Sequence, residues 1–406
     1  MTDTGSTGRA SPFLLAAVFL LSASGLMFEL TLTRTFSATI WYHYTFVAIS
    51  VALFGWGLGG FLVCLLRLAR FQRQMNAILL VLALTLAGTL PLFLVGILAL
   101  GFTPNNLPWY FLVSLMPFLA GGAVLSLAFE SRGKDANRLY FADLIGAAAG
   151  TVLVPLAIGR LGAETTILAV AVLPAAAAML LALQSPRRAR WLPVTGILLA
   201  AFVGLGAWNH VTGTLTVRDA PEKELYKLLD AHPGKARIHT DRWNAYSRIT
   251  SVVGHDEKQV ARLFIDSSAE TSVIPWDGTP EFHPEAEGWF RAFPFRMTES
   301  PEVLIIGPGG GTDVVAAVCT GAKRVTAVEM NQLIVDAVRG FGEKAGDLYD
   351  HPKVELVMEE GRNFIERTDE RFDLIVLGWV DSWASVASGG LALTENYLYT
   401  RDALEA

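Results

Sequence analysis

The chain has 406 residues, 52% of them hydrophobic, and a formal net charge of −6. Its mean hydropathy of +0.42 excludes an ordinary soluble protein. Charge is split along the chain, with 12 Lys and Arg against 6 Asp and Glu up to Trp208, and 20 against 32 from Asn209 onward. The acidic half excludes a nucleic-acid partner, which needs a basic surface, and suits a cationic one. Cys64 and Cys319 have no metal-type spacing, so both read as core residues and no metal is expected.

Residues 1–11 are small and polar and read as disordered. Seven apolar segments follow, near 13–34, 45–66, 77–101, 107–129, 141–160, 163–183 and 191–208. Each approaches the roughly 20 residues a bilayer crossing takes, which predicts a membrane domain over 1–208 and the lipid bilayer as its partner. Arg9, Arg67, Arg70, Arg73, Arg132, Lys134, Arg138, Arg187, Arg188 and Arg190 fall on one side of these segments, and only Arg34 and Arg160 on the other. The positive-inside rule puts the rich side, with the N-terminus, in the cytoplasm of a bacterial-type inner membrane. Seven crossings would then leave the C-terminal half outside, away from cytosolic nucleosides. One segment, 191–208 or 141–160, is therefore expected not to cross, which keeps that half cytoplasmic; the alternative is a domain outside. Within the spans, Glu29 reads either as a functional intramembrane carboxylate or as an interfacial partner of Arg34. Gly55, Gly57, Gly59 and Gly60 predict close helix packing, and Asp143 an N-cap or a buried polar partner.

Residues 209–300 read as a linker helix, Pro221–Asp230, and a β-hairpin of Tyr246–Val253 and Gln259–Asp266, with a further helix over Pro284–Phe293. From 301 to 406 the pattern changes. The apolar run Val303–Ile306 ends in Gly307-Pro308-Gly309-Gly310-Gly311-Thr312-Asp313, and a helical pattern follows to Thr320. Glycines let the backbone turn sharply and approach a ligand closely, and a helix N-terminus offers free N–H groups. A second strand, Lys323–Val328, ends in Glu329, where a carboxylate can accept from both ribose hydroxyls. A third, Val354–Met358, ends in Glu359-Glu360-Gly361, and a fourth spans Phe372–Leu377. Strands alternating with helices at this spacing predict a parallel sheet with right-handed crossovers. Its carboxyl ends would gather Gly307, Gly309, Gly311, Asp313, Glu329, Glu360 and Gly361 as a nucleoside site. The helix expected from near Thr394 runs to Ala406 with a sheet still short of a strand, so the sequence is expected to be part of a longer chain.

Residues 240–400 resemble the spermidine synthase (polyamine aminopropyltransferase) family. The resemblance is carried by Val303–Gly311, Val325–Glu329, Val354–Phe364 and Thr368–Val376. With the apolar half added, the chain resembles membrane proteins described as fused MFS-like/spermidine synthase, which Ser24-Gly25, Glu29, Arg34 and the glycines of the second span fit. The resemblance implies a polytopic α-helical membrane domain followed by an α/β Rossmann-like, methyltransferase-type domain with an N-terminal β-hairpin. It implies S-adenosylmethionine or its decarboxylated form as substrate and a small-molecule amine as partner. Gly307, Gly309 and Gly311 would then shape the loop over the ligand's aminoacyl or aminopropyl arm, Glu329 would hold the ribose, and Glu360 would accept from the adenine amine. The family's fourth strand leads into an Asp-Ser-Ser-Asp-type segment, but Leu377 stands at the first Asp, and Asp381 lies one residue beyond the second. Asp381, flanked by Trp379 and Trp383, is the candidate base. Tyr246, Arg248, Glu287 and Trp379 are candidate substrate contacts, although the family's Tyr-Gln is here Tyr246-Ser247 and its Tyr-His-Glu is missing. The expected function is aminopropyl transfer to an amine. Methyl transfer to a membrane or amine acceptor, and non-catalytic nucleoside or polyamine sensing beside a transporter-like half, are the alternatives.

Overall fold

The computed structural model describes residues 10–41, 44–217, 219–378 and 397–405. Trp379 and Asp381, and residues 1–9 of the stretch read as disordered, lie outside them, as does the side chain of Glu287. The described chain divides into a helical unit, which runs up to Ala220 and also takes in Asn244–Tyr246, and an α/β unit formed by the rest.

The helical unit contains α1 (Pro12–Thr39), α2 (Thr45–Leu65), α3 (Met75–Ala99), α4 (Leu107–Ser131), α5 (Ala136–Val170), α6 (Val172–Leu183) and α7 (Arg188–Thr212). Among the described residues, six helical stretches are long and apolar enough to cross a membrane, by length and composition. The longest, Gly133–Leu183, is not one rod: Gly162, at φ 75° and ψ 170°, breaks α5 between the two segments the sequence separates there. The start of α1 follows from capping chemistry: the Ser11 hydroxyl accepts the Leu14 N–H at 3.1 Å and proline opens the first turn.

Small residues set the packing. A Cβ on Gly59 would lie 2.6 Å from the Ala123 nitrogen and one on Gly121 2.8 Å from the Trp56 ring, so α2 and α4 meet nearly backbone to backbone. A Cβ on Gly150 would lie 2.7 Å from the Ala23 carbonyl oxygen, which brings α5 equally close to α1. On that contact the Ser22 hydroxyl donates to Asp143. Asp143 is thus a polar partner between helices and not an N-cap, since α5 begins at Ala136. Cys64, expected in the core, is exposed on α2, because only one face of that helix packs inward.

Two ends of this unit are defined by hydrogen bonds. At one, the Ala10 N–H donates to Asp135 Oδ2 at 2.6 Å and the Ser11 hydroxyl to Gln184. At the other, the Ala220 N–H donates to the Thr39 carbonyl at 2.7 Å, the Val217 N–H to Glu164 Oε1 at 3.0 Å, and Asn209 Nδ2 to Thr165 Oγ1 at 3.1 Å. Both α7 and the part of α5 before Gly162 therefore run from the first end to the second.

The α/β unit opens with α8 (Glu224–Ala231) and an antiparallel sheet in the order β1 (Arg237–Trp243), β2 (Arg248–Val253), β3 (Ala261–Ile265), β4 (Ala269–Val273). The expected hairpin is β2–β3, with Thr250 opposite Phe264. The two outer strands were not anticipated, because β1 is polar on both faces and β4 reads Ala-Glu-Thr-Ser-Val without alternation. The helix expected over Pro284–Phe293 is instead a run of short 3₁₀ turns, Pro284–Gly288, Phe290–Ala292 and Pro294–Arg296. Gly288 weakens a helix there, and the run is interrupted at Trp289, which is extended at φ −68° and ψ 137°.

The parallel sheet consists of β5 (Glu302–Ile306), β6 (Arg324–Val328), β7 (Val354–Val357) and β8 (Leu374–Leu377), in the order β7-β6-β5-β8. Its crossovers carry α9 (Thr312–Cys319), α10 (Gln332–Arg339) and α11 (Gly361–Arg367), and α12 (Arg401–Glu405) follows. Alternation along β5 splits the core. Val303 and Ile305 join Val314, Val315, Ile334 and Val335, whereas Leu304 and Ile306 join Val328 and Leu398 against Phe364 and Ile365. Strand order reverses between β5 and β8, and the crevice above such a reversal, at the carboxyl ends of the strands, is where open α/β sheets bind ligands.

Candidate active site

The loop between β5 and α9 turns on three glycines with positive φ: Gly307 at 68°, Gly309 at 55° and Gly311 at 89°. Gly310 has no such φ, yet a Cβ on it would lie 2.6 Å from the Ser272 carbonyl carbon. The Gly310 N–H donates to Thr271 Oγ1 at 2.9 Å, and the Thr312 hydroxyl donates to the Ser272 carbonyl at 3.2 Å. At Gly310 the loop backbone thus approaches β4 closely.

Glu329 leaves the end of β6 and reaches back to this loop. Its Oε1 accepts the Asn331 N–H at 2.8 Å and its Oε2 the Gly309 N–H at 3.3 Å. Asn331 Nδ2 donates to Ser247 Oγ at 2.8 Å, which ties β2 to the same corner, and the Tyr349 hydroxyl donates to the Gly309 carbonyl. Glu329 is 4% exposed. Burial pushes its carboxyl up from the ordinary 4.5, against the lowering effect of the Asn331 and Gly309 N–H groups.

Glu360 is exposed and caps α11, accepting the N–H groups of Arg362 at 3.0 Å and Asn363 at 2.9 Å. Gly361 opens that helix against Ile306, where a Cβ would collide with the Ile306 side chain. Arg248 is buried in β2, and its Nε and Nη2 donate to Asp241 at 2.8 and 2.6 Å. Tyr246 is half-buried in the loop before β2, where its N–H donates to Asn244 Oδ1 at 3.1 Å.

Asp313 stands in the first turn of α9 and is 7% exposed. It helps line an open crevice of about 430 Å³ at the carboxyl end of β8, with Phe290, Arg291, Phe293, Gly378 and Tyr399. A Cβ on Gly378 would lie 2.6 Å from Asp313 Oδ2, so the carboxylate sits directly beside the strand end. Arg291 Nη1 donates to both Asp313 oxygens at 2.9 Å.

The family model described as spermine/spermidine synthase domain matches residues 293–400, from just before β5 to the end of this crevice. The C-terminal part of the chain is a spermidine synthase domain. Among curated relatives of this domain, polyamine aminopropyltransferase 1 of Pseudomonas aeruginosa is 34% identical over 97 residues, covering 23% of this chain and 33% of the relative. The polyamine aminopropyltransferase of Serratia proteamaculans is 35% identical over 86 residues, 20% of this chain and 30% of that one. That of Thermoplasma acidophilum is 28% identical over 90 residues, 22% of this chain and 33% of that one. The chain therefore spans about a third of the length of these relatives. Among solved structures, spermidine synthase from Thermotoga maritima aligns at 19% identity and a TM-score of 0.29, covering 36% of this chain and 47% of that chain.

In this spermidine synthase domain the structure brings together Gly309, Glu329 and the start of α9, and it adds Thr271, Asn331 and Tyr349, which the sequence reading did not single out. Arg291 was also missed, because it lies in an aromatic, proline-rich stretch with no periodicity to orient it.

Proposed function

We propose that this protein is an integral membrane transferase that binds an adenosyl sulfonium in its spermidine synthase domain and transfers an aminopropyl group to an amine. The observation that carries the reading is the convergence at one sheet edge of a glycine loop, a buried carboxylate after β6 and an acidic crevice at the strand reversal. Glu329 would exchange the Gly309 N–H for ribose hydroxyls. Glu360 keeps lone pairs beyond those spent on α11 and would accept from the adenine amine. The amine nitrogen attacks the carbon next to the sulfonium, and a C–N bond forms as the C–S bond breaks. The electron pair stays on sulfur, giving a neutral thioether, and the amine proton passes to a carboxylate, for which Asp381 is the candidate. Alignment and one base supply most of what this reaction needs. Incubation of the full chain in detergent with decarboxylated S-adenosylmethionine and putrescine should release methylthioadenosine, and Asp381→Asn should abolish that release while keeping methylthioadenosine binding. Absence of release by wild type with any polyamine would remove the reading.

Methyl transfer is the second reading. The strand end at Leu377 is apolar, and the Arg291 guanidinium in the crevice could take the carboxylate of an intact methionyl arm. Paired titrations with S-adenosylmethionine and its decarboxylated form distinguish the two, since methyl transfer requires the first to bind more tightly.

For the membrane side we infer the face opposite the basic loops. Both segments suspected of not crossing run the full length of the helical unit, and Ala220 is tied to Thr39 at the end away from Asp135 and Gln184. Arg67, Arg70, Arg73, Arg132, Lys134 and Arg187 belong to turns at that other end. The positive-inside rule then supports a chain that leaves the helices on the non-cytoplasmic face, where the adenosyl ligand would have to be delivered.

A further inference from the structure

We propose that Asp313 is the carboxylate that anchors the cationic end of the acceptor amine, and that Arg291 occupies this place until the amine displaces it. The inference rests on the transferase reading above and assigns its amine site to α9 in place of the strand end.

Three features of the crevice carry it. The first is the form of the ion pair. An arginine that holds a carboxylate structurally presents two nitrogens to two oxygens in parallel, as Arg248 does to Asp241 with Nε and Nη2. Arg291 uses one nitrogen, Nη1, placed 2.9 Å from each Asp313 oxygen. That is the geometry of a single ammonium straddling a carboxylate, and an alkylammonium nitrogen can take the same position. The second is the asymmetry of exposure. The Arg291 side chain is 43% exposed while that of Asp313 is 10% exposed, so the arginine can swing into water while the carboxylate stays fixed by α9. Solvent screens the exposed guanidinium, so this pair gives way more readily than one buried on both sides. The third is the wall chemistry. Phe290, Phe293, Tyr399, Val376 and Leu377 surround the carboxylate with apolar surface, and Phe290 is 94% exposed. A carboxylate set among hydrocarbon and aromatic faces fits a cation carried on a methylene chain, which an inorganic cation or an anionic ligand would not match.

Gly378 completes the arrangement. A side chain there would press on Asp313 Oδ2, so the glycine keeps the approach to the carboxylate open from the strand end.

The test is calorimetric titration of the full chain in detergent with putrescine, in the presence of methylthioadenosine. Asp313→Asn should weaken putrescine at least tenfold and leave methylthioadenosine affinity within twofold. Arg291→Ala removes the competing cation and should tighten putrescine about threefold or more. A structural ion pair predicts the opposite for Arg291→Ala, namely unchanged or weaker putrescine, and that result overturns the proposal even if Asp313→Asn fails to fold. Equal putrescine binding by Asp313→Asn and wild type overturns the proposal while leaving the transferase reading standing. Wild type that binds methylthioadenosine but no putrescine removes the transferase reading, and the amine site with it.

Discussion

Gly310→Ala separates two reasons for a glycine in the nucleotide loop. If the glycine serves only a ligand, alanine should be silent until the ligand is added. The structure predicts a cost without any ligand, because a Cβ at Gly310 would meet the β4 backbone, 2.6 Å from the Ser272 carbonyl carbon and 3.1 Å from the Val273 nitrogen. Backbone cannot rotate aside as a side chain can, so relief must come from moving the loop. Overpacking of this kind costs about 1–3 kcal/mol. Moving the loop also gives up the Gly310 N–H bond to Thr271 Oγ1, for about 1 kcal/mol more. The stiffer unfolded chain returns about 0.4–1 kcal/mol, which leaves a net destabilisation of about 1–3.6 kcal/mol. For a unit of this size that lowers Tm by about 2–14 °C. The assay is thermal unfolding of the full chain in detergent without ligand, followed by methylthioadenosine titration of wild type and variant. An unchanged Tm in the ligand-free variant, together with lost affinity, would refute the packing argument and return the glycine to the ligand.

Glu329→Ala should weaken methylthioadenosine by about 1–3 kcal/mol, the range for a charged hydrogen-bond partner. Hydroxyl donors need the ionised carboxylate, and burial holds its pKa above the ordinary 4.5, so wild-type affinity should fall on acidification before pH 4.5 is reached, by up to about tenfold per pH unit, with no such loss in Glu329→Gln; a flat wild-type profile down to pH 4.5 would rule out the ribose role. Alkaline phosphatase fused after residue 215 should be active, and a fluorescent reporter that matures only in the cytosol should stay dark; bright fluorescence there would place the spermidine synthase domain in the cytoplasm.

The parallel sheet was legible because buried strands announce themselves: Val303–Ile306 and Val325–Val328 are unbroken apolar runs that stop at glycine or at a carboxylate. The helical half was legible for the same reason, and even the break at Gly162 falls between two segments the sequence separates. Legibility failed where function of a residue depends on what another element brings to it. Arg248, read as a substrate contact, donates to Asp241, a partner the sequence did not reveal because it belongs to β1, a strand too polar to recognise. Glu360 gives two acceptor bonds to the first turn of α11, which its position before Gly361-Arg362-Asn363 could have indicated as a cap. The approach of β4 to the glycine loop had no signal in either segment, since neither Thr271 nor Ser272 stands out among polar residues.

The acid of the crevice comes from a different element than the resemblance leads one to expect. Leu377 ends β8 where the resemblance leads one to expect a carboxylate, and from the strand alone the crevice looks apolar. The structure delivers a carboxylate to the same rim from α9. Asp313 enters from the first turn of a helix, a favourable place for negative charge, and Gly378 stands where any side chain would displace it. The two are in contact, since a Cβ at 378 would require the Asp313 carboxylate to shift. Loss of an acid from one element therefore does not empty the crevice of negative charge. What distinguishes this crevice is that its carboxylate arrives already covered by a single arginine nitrogen. An amine that binds here must compete with an intramolecular cation, which sets a threshold on affinity and favours acceptors whose methylene chains gain from Phe290, Phe293 and Tyr399 what the ammonium alone cannot.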